Sequence, residues 1–183
     1  MPAELAAKKI REISMAIFKC CEKLFINTDE LLFVSRGDST LRGHAVIEPQ
    51  IINDILGPFD ATFHVPAFFE GGRITRNGIH LLNGCPVHLT PFGKDTVFSY
   101  STSDLALWLE EKSSGSILSK DVKKISINSL NAALQSKEAY GVLINRLLNL
   151  SDNQIVVVDA EIPEHLQVFA DIIYSIRKKK RFL

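Results

Sequence analysis

Residues 154–159, Gln-Ile-Val-Val-Val-Asp, give the clearest strand signal in this chain of 183 residues. The run is short, apolar and rich in β-branched residues, which is typical of a strand that is buried on both faces of a parallel sheet. A helical pattern follows over residues 163–179, with Pro163 in the first turn, where the missing N–H of proline has no helical partner to lose. A buried strand that leads into a helix is the building unit of an α/β fold.

The rest of the chain repeats this alternation. Strands are predicted at 31–34, 61–65 and 124–127, with short ones at 79–82 and 87–89 around an Asn83-Gly84 turn. Helices are predicted at 2–24, from between His44 and Pro49 to Gly57, from Ser103 onward and at 139–148. We therefore predict an α/β fold with an open, mostly parallel sheet, helices on both faces and Rossmann-like connections. Because the chain opens with a helix, we expect the usual first strand to be lacking.

The charge balance excludes several classes of protein. Lysine plus arginine total 21 and aspartate plus glutamate total 21, so the net charge gives no reason to expect a nucleic-acid partner. No apolar run reaches the roughly 20 residues that a membrane span needs. The N-terminus also lacks the apolar centre of a secretory signal. These features predict a cytoplasmic protein without a membrane partner.

The cysteines and histidines do not form a metal pattern. Cys20, Cys21 and Cys85 have neither disulfide nor zinc spacing, so we predict that they are small core residues and that there is no metal site. Three histidines lie in or beside predicted strands without a ligand partner at metal spacing, and we predict core or edge positions for them: His64, His80 and His88.

The densest polar segment spans residues 35–44, Ser-Arg-Gly-Asp-Ser-Thr-Leu-Arg-Gly-His, between a predicted strand and a helix. Ligands of open α/β sheets bind outside the carboxyl ends of the strands. Arg36 and Arg42 can hold a carboxylate through forked hydrogen bonds. The side chains of Asp38, Ser39 and Thr40 can bond hydroxyl groups. The segment suits a small polyhydroxylated acid, but a plain turn in which Asp38 pairs with Arg42 explains it equally well.

A second polar segment, residues 66–73, reads Pro-Ala-Phe-Phe-Glu-Gly-Gly-Arg and follows the predicted strand at 61–65. Its two glycines allow a sharp turn or a close approach to a ligand. Glu70 and Arg73 either pair with each other or line the site together with residues 35–44. Further along, Lys94 and Asp95 lie in a loop that is either a lid or a simple turn.

Several motifs together resemble the four-carbon acid sugar kinase family. Asp38–His44 with Glu48 resembles its DSTLRG(H/N) signature and following acid, and residues 66–73 resemble its PAFxEGGR segment. Later landmarks match in order: Gly78-Ile79-His80, Gly84-Cys85-Pro86-Val87 and Thr90–Asp95. The resemblance runs from about Leu31 to the C-terminus, and the two main motifs are specific as an ordered pair.

The resemblance implies a kinase that transfers the γ-phosphate of ATP to a four-carbon sugar acid such as a threonate, an erythronate or an oxo-tetronate. It implies that residues 1–183 are one sugar-acid-binding domain, without the family's first strand, its DDxTG-type acidic motif or its C-terminal nucleotide domain. We therefore expect a truncated, incomplete enzyme. ATP and Mg²⁺ would belong to the complete enzyme and not to this chain alone, and a separate nucleotide-binding subunit or a homodimer stays open.

The hypothesis of a sugar-acid-binding domain of kinase type assigns roles to side chains. We expect Arg36, Asp38, Ser39, Thr40, Arg42, Glu70 and Arg73 to bind substrate. Asp38 is a candidate catalytic base, although the missing acidic motif is an equally good one. Where the first strand is lacking, we expect an open sheet edge or an exposed apolar groove.

Two alternatives remain open on the sequence. One is a non-catalytic remnant or interaction subunit of the same family. The other is an enzyme of another class, an aldolase or isomerase of sugar acids, for which Asp38 and Lys94 are the only candidate base and electrophile.

Overall fold

The computed structural model describes residues 1–183. The helices are α1 (Ala3–Leu24), α2 (Ile47–Leu56), α3 (Leu105–Lys112), α4 (Ile127–Gln135), α5 (Lys137–Leu148) and α6 (Pro163–Ile176). The strands are β1 (Ala61–His64), β2 (Arg73–Arg76), β3 (Ile79–Leu82), β4 (Cys85–Pro86), β5 (Lys123–Ile125) and β6 (Gln154–Val158). They form two sheets, a parallel sheet in the order β1-β6-β5 and an antiparallel sheet in the order β2-β3-β4.

Strand β6 is the centre of the parallel sheet, as its uninterrupted apolar run predicts. Val156 and Val158 pack with α4, α5 and α6 in one core cluster. Val157 points into a second cluster that includes Trp108 and Leu109 of α3. Helices therefore cover both faces of the sheet, and the prediction of an α/β fold is confirmed. No helix combines the length and the apolar character that crossing a bilayer requires.

The outer edge of β1 pairs with the last residues of the chain. The N–H of Asp60 donates to the Arg181 carbonyl at 2.7 Å, and the N–H of Phe63 donates to Leu183 O at 2.7 Å. Lys180 Nζ adds an ion pair with the Asp60 carboxylate at 2.8 Å. The C-terminal residues thus continue the parallel sheet beyond β1.

The predicted strand at 31–34 is wrong. These residues have no strand partner, and the side chains of Leu32 and Val34 are 53% and 80% exposed. An apolar run becomes a buried strand only where a neighbouring strand supplies hydrogen bonds, and none lies beside this one. Its position borders an apolar groove of about 230 Å³ between α1 and α2, lined by residues such as Ile13, Ile17 and Phe33.

Other segments also differ from the predictions. Val87–Leu89 is a 3-10 turn and not a strand, because the N–H of Thr90 donates to the Val87 carbonyl and closes the turn. Strand β2 lies in a segment for which the sequence predicts a loop, and helix α4 is not predicted from the sequence. Of the cysteines, Cys21 is buried as predicted, but Cys20 and Cys85 are exposed because they lie on the outer side of α1 and at a sheet edge.

Asp159, immediately after β6, joins the two sheets. Its Oδ1 accepts the N–H of Gly78 at 2.8 Å, and its Oδ2 accepts the N–H groups of Asn77 at 3.0 Å and Ile127 at 3.3 Å. Burial raises the pKa of this carboxyl group, although the three N–H donors and Lys124 oppose the effect. The antiparallel sheet is thereby fixed at the carboxyl end of the parallel sheet, where α/β proteins bind ligands.

Candidate active site

The loop that carries Asp38 is folded around that carboxylate. Asp38 Oδ1 accepts the backbone N–H of Thr40 at 2.8 Å and its hydroxyl at 2.7 Å. Short polar side chains commonly close turns in this way. Leu41 follows with a left-handed backbone, φ 63°, and a buried side chain. The residue order of the motif therefore sets a turn in which Thr40 and Leu41 are buried while Asp38 and Arg42 stay partly exposed.

Arg42 closes the loop from the other side. Its Nε and Nη2 donate to Asp38 Oδ2 at 2.9 and 2.8 Å, and Nε also lies 2.9 Å from the Thr40 hydroxyl. Burial alone would raise the pKa of Asp38, but the Thr40 bonds and the Arg42 charge outweigh it and lower that pKa. Asp38 is thus a stable anion at neutral pH, and Arg42 already has a counter-charge.

Two side chains from distant parts of the sequence hold the backbone of this loop. His80 Nε2 lies 2.7 Å from the Ser39 carbonyl, and its Nδ1 lies 3.0 Å from the Thr75 hydroxyl. The Tyr100 hydroxyl donates to the Thr40 carbonyl at 2.7 Å. Burial raises the pKa of Tyr100 to about 12, so the hydroxyl keeps its proton at neutral pH. The loop is therefore held by side chains from the antiparallel sheet and from Tyr100, and not by a preceding strand.

The protonation state of His80 follows from its partners. A carbonyl oxygen can only accept, so Nε2 carries the proton, and Nδ1 accepts from the Thr75 hydroxyl. Burial, together with a smaller contribution from Arg73, lowers the pKa of His80 and favours this neutral form, although two backbone bonds oppose the shift. His80 is fully buried, as the sequence predicts, and it also positions the loop.

We expect the free energy of unfolding to fall as the pH drops below about 6.5. The unfolded chain binds protons on histidine near that pH, whereas burial lowers the folded pKa of His80, so acid favours unfolding until the folded pKa is passed. Urea unfolding at pH 7, 6 and 5 measures this decline. His80→Gln keeps a donor for Ser39 and should make the fall in the free energy of unfolding less steep. Burial also lowers the pKa of His64, to about 4, so His64 contributes to the same fall. Equal slopes in variant and wild type would contradict the His80 assignment.

A cavity of about 270 Å³ opens beside Asp38 and Arg42. Its other wall is the segment Asp95–Phe98, where Asp95 Oδ1 accepts the N–H groups of Val97 and Phe98, both at 2.8 Å. These backbone bonds lower the pKa of Asp95. Asp95 Oδ2 lies 3.8 Å from Arg42 Nη1. Residues 94–95 read only as a lid or a turn in the sequence, and here Asp95 forms a turn that walls the cavity.

Arg73 lies near the same loop but not in that wall. Its guanidinium carbon is 5.3 Å from the Phe68 ring centroid and 5.8 Å from that of Phe92, and the Arg42 guanidinium carbon lies 4.9 Å from the same Phe92 ring. Glu70 is exposed and forms no salt bridge with Arg73, so the pairing that the sequence left open is absent.

Arg36 is the expected site residue that lies elsewhere. It lines the apolar groove beside α1, with Glu48, which accepts a hydrogen bond from the Ser35 hydroxyl. The structure thus brings Asp38, Thr40 and Arg42 together, with the Ser39 backbone held beneath them, while Arg36 faces a different cavity. Nowhere do three or more His, Cys, Asp or Glu side chains come together as a metal site requires.

Comparisons with known proteins show the family of this chain. A family model described as a sugar-binding N-terminal domain matches residues 1–183. The chain is 31% identical over 142 residues to a D-erythronate kinase of Heliobacterium modesticaldum, an alignment that covers 76% of this chain and 30% of that protein.

Two solved structures share the fold. A Bordetella bronchiseptica protein with a domain of unknown function (DUF1537), a domain-swapped dimer with bound citrate, has a TM-score of 0.69 at 21% identity over 100% of this chain. A Haemophilus influenzae protein of the same family has a TM-score of 0.67 at 15% identity over 93% of this chain. The chain spans 39% of the length of each.

Proposed function

Because this chain belongs to the family of sugar-binding N-terminal domains, we propose that it is the sugar-acid-binding domain of an ATP-dependent kinase that phosphorylates a four-carbon sugar acid. The similar Heliobacterium modesticaldum protein is a D-erythronate kinase, so D-erythronate is the first ligand to test. Threonates and oxo-tetronates are the next candidates. A cytoplasmic location is part of the same proposal, since the reaction consumes ATP.

The observation that carries the proposal is the loop of Asp38, Thr40 and Arg42 at the mouth of a cavity. Hydroxyl groups of a sugar acid need both acceptors and donors, and the cavity presents the Asp38 carboxylate beside the Arg42 guanidinium, while the buried Thr40 hydroxyl bonds to both from behind. The cavity of about 270 Å³ lies just below the roughly 300–1,000 Å³ of drug-sized ligand pockets, as suits a smaller ligand.

The low pKa of Asp38 favours a positioning role over proton abstraction. A general base works best with a pKa near the operating pH, and Asp38 is held below its ordinary value. Both of its oxygens are also engaged, one by Thr40 and the other by Arg42. We therefore propose that Asp38 shapes the binding loop and that its hydrogen bonds keep the Arg42 guanidinium oriented.

ATP and Mg²⁺ are proposed to bind outside these residues, in a nucleotide domain of the same enzyme or in a separate subunit. Phosphoryl transfer depends on charge neutralisation by a metal–nucleotide site. What residues 1–183 contribute is the orientation of the acceptor hydroxyl, because a well-placed acceptor removes much of the entropic barrier.

Calorimetric titration of the purified chain at low salt tests the proposal. We expect binding of D-erythronate, or of a D- or L-threonate, and no binding of ATP–Mg²⁺ added alone. A folded chain that takes up none of these acids at millimolar concentration would contradict a sugar-acid-binding role. Binding of ATP–Mg²⁺ by residues 1–183 would contradict the proposed division between acceptor and nucleotide sites.

A further inference from the structure

Arg73 is an arginine without a counter-charge beside the proposed binding loop. No carboxylate lies within salt-bridge distance of its guanidinium, and its buried Nε has no hydrogen-bond partner. Arg42 differs, because it pairs with Asp38 at 2.8 Å and lies 3.8 Å from Asp95. Buried donors in folded proteins are nearly always bonded to protein or to water, so the Arg73 guanidinium is able to take a partner from outside the chain.

The position of Arg73 is fixed by its surroundings. Its guanidinium lies within cation–π distance of both Phe68 and Phe92. A Cβ on Gly71 would overlap Arg73 Nη1 and the Phe68 ring, so glycine leaves the space that the guanidinium occupies. Gly72 turns the chain with φ 69°, a conformation that glycine adopts without strain. Arg73 is therefore held in place before any ligand arrives, which lowers the entropic cost of binding.

Arg73 and the Asp38 loop contact the same aromatic ring. Arg42 of that loop and Arg73 share the Phe92 ring, at 4.9 and 5.8 Å from its centroid. The charge of Arg73 also acts on His80, whose Nε2 donates to the Ser39 carbonyl at 2.7 Å. The two arginines thus lie against one aromatic ring, Arg42 with its charge matched by Asp38 and Arg73 with its charge unmatched.

We propose that Arg73 binds the carboxylate of the sugar acid, while Arg42, which Asp38 holds in place, bonds the hydroxyl groups of the acid. The proposal rests on the proposed function and specifies which end of the ligand each arginine meets. A free guanidinium can offer two parallel N–H donors to a carboxylate. The Nε and Nη2 donors of Arg42 are already used by Asp38. The sequence suggests Arg36 and Arg42 as the residues that bind the carboxylate, and this proposal assigns that role to Arg73 instead.

Two ligands that match in shape but differ in charge test this assignment. D-Erythronate and its uncharged amide, D-erythronamide, have the same hydroxyls and differ at the carboxylate end. We expect Arg73→Met, which keeps an apolar stem against Phe68 and Phe92, to weaken erythronate binding about 10- to 100-fold, the usual range for a charge-assisted bond. The affinity for the amide should stay within about threefold. Arg73→Lys keeps the charge but not the forked pair of donors, so its affinity for erythronate should lie between those of the wild type and Arg73→Met.

Arg76→Met is the matched control, because Arg76 is exposed on the same strand and pairs with Glu161. It should leave both affinities unchanged, and thermal unfolding confirms that each variant folds. Equal losses for acid and amide in Arg73→Met, or no loss, would overturn the assignment while leaving sugar-acid binding intact. A wild-type chain that binds neither compound overturns the proposed function instead.

The Arg73 assignment also has a readout that does not depend on sugar binding. The Nε–Hε NMR resonance of Arg73 should shift when sodium glycolate is added at constant ionic strength. Arg76 supplies the reference signal in the same spectrum. An Arg73 resonance that stays still, or moves no more than that of Arg76, overturns carboxylate binding at this side chain.

Discussion

Alanine at position 38 is expected to lower the affinity for D-erythronate by about 100-fold or more. Asp38 bonds the Thr40 N–H, the Thr40 hydroxyl and the Arg42 guanidinium, so its removal frees both flanking side chains at once. An Arg42 guanidinium that is no longer held in place loses its bonds to the ligand, and two charge-assisted bonds of roughly 1.5–3 kcal/mol each correspond to about 100-fold or more in affinity. Calorimetric titration of variant and wild type at the same salt concentration measures the effect.

Asp38→Asn separates the two halves of this arrangement. The amide oxygen can still accept from Thr40, whereas the amide nitrogen would face the Arg42 guanidinium as a second donor. We expect this variant to keep the turn and to lose most of the binding. Asp54→Ala, an exposed change on α2, is the control and should have no effect. An Asp38→Ala variant within threefold of wild type would contradict the role of the loop.

Removal of the Asp159 carboxylate is expected to cost the most stability. Its two oxygens accept three backbone N–H groups, those of Asn77, Gly78 and Ile127, and the side chain is buried. Each orphaned donor costs about 1–3 kcal/mol, and the Asn77 N–H is only partly buried, so Asp159→Ala should lower the free energy of unfolding by about 3–5 kcal/mol, the lower part of the summed range. The free energy of unfolding of a whole domain is only about 5–15 kcal/mol, so this variant should be barely stable.

Urea unfolding with an amide variant shows whether the three bonds are responsible. Asp159→Asn can keep the bonds of Asn77 and Ile127 to its oxygen but must turn its NH2 group toward Gly78 N–H. It should therefore fall between wild type and alanine. Asp171→Ala, on the exposed side of α6, is the control. An asparagine variant as stable as wild type would contradict the assignment of the bonds.

The sequence predicts those elements that have a clear local spacing of apolar residues. The run at 154–159 becomes the central strand β6, and the helical spacing of residues 2–24 predicts helix α1, although Leu5, Ile13 and Leu24 of its apolar positions are exposed. The run at 31–34 has the same apolar character but forms no strand, because pairing depends on a neighbour that the run itself cannot specify. Helix α4 is missed although Ser126 caps it, since its side chain accepts the Ser129 N–H.

The candidate site divides in the same way. The contacts among Asp38, Thr40 and Arg42 span four residues or fewer, so the motif alone suggests them. His80 and Tyr100 reach the loop from 41 and 60 residues away, and no local pattern reveals such contacts. The shared stacking of two arginines on Phe92 is equally non-local.

Mapping the NMR amide shifts of the chain during titration with D-erythronate tests the proposed site most directly. The ligand should shift the amides of residues 38–42, Arg73 and 95–98, which surround the cavity and the unpaired arginine. Shifts confined instead to the groove beside α1, around Ile13, Phe33 and Arg36, would contradict the proposed site, because that groove lies apart from the Asp38 loop.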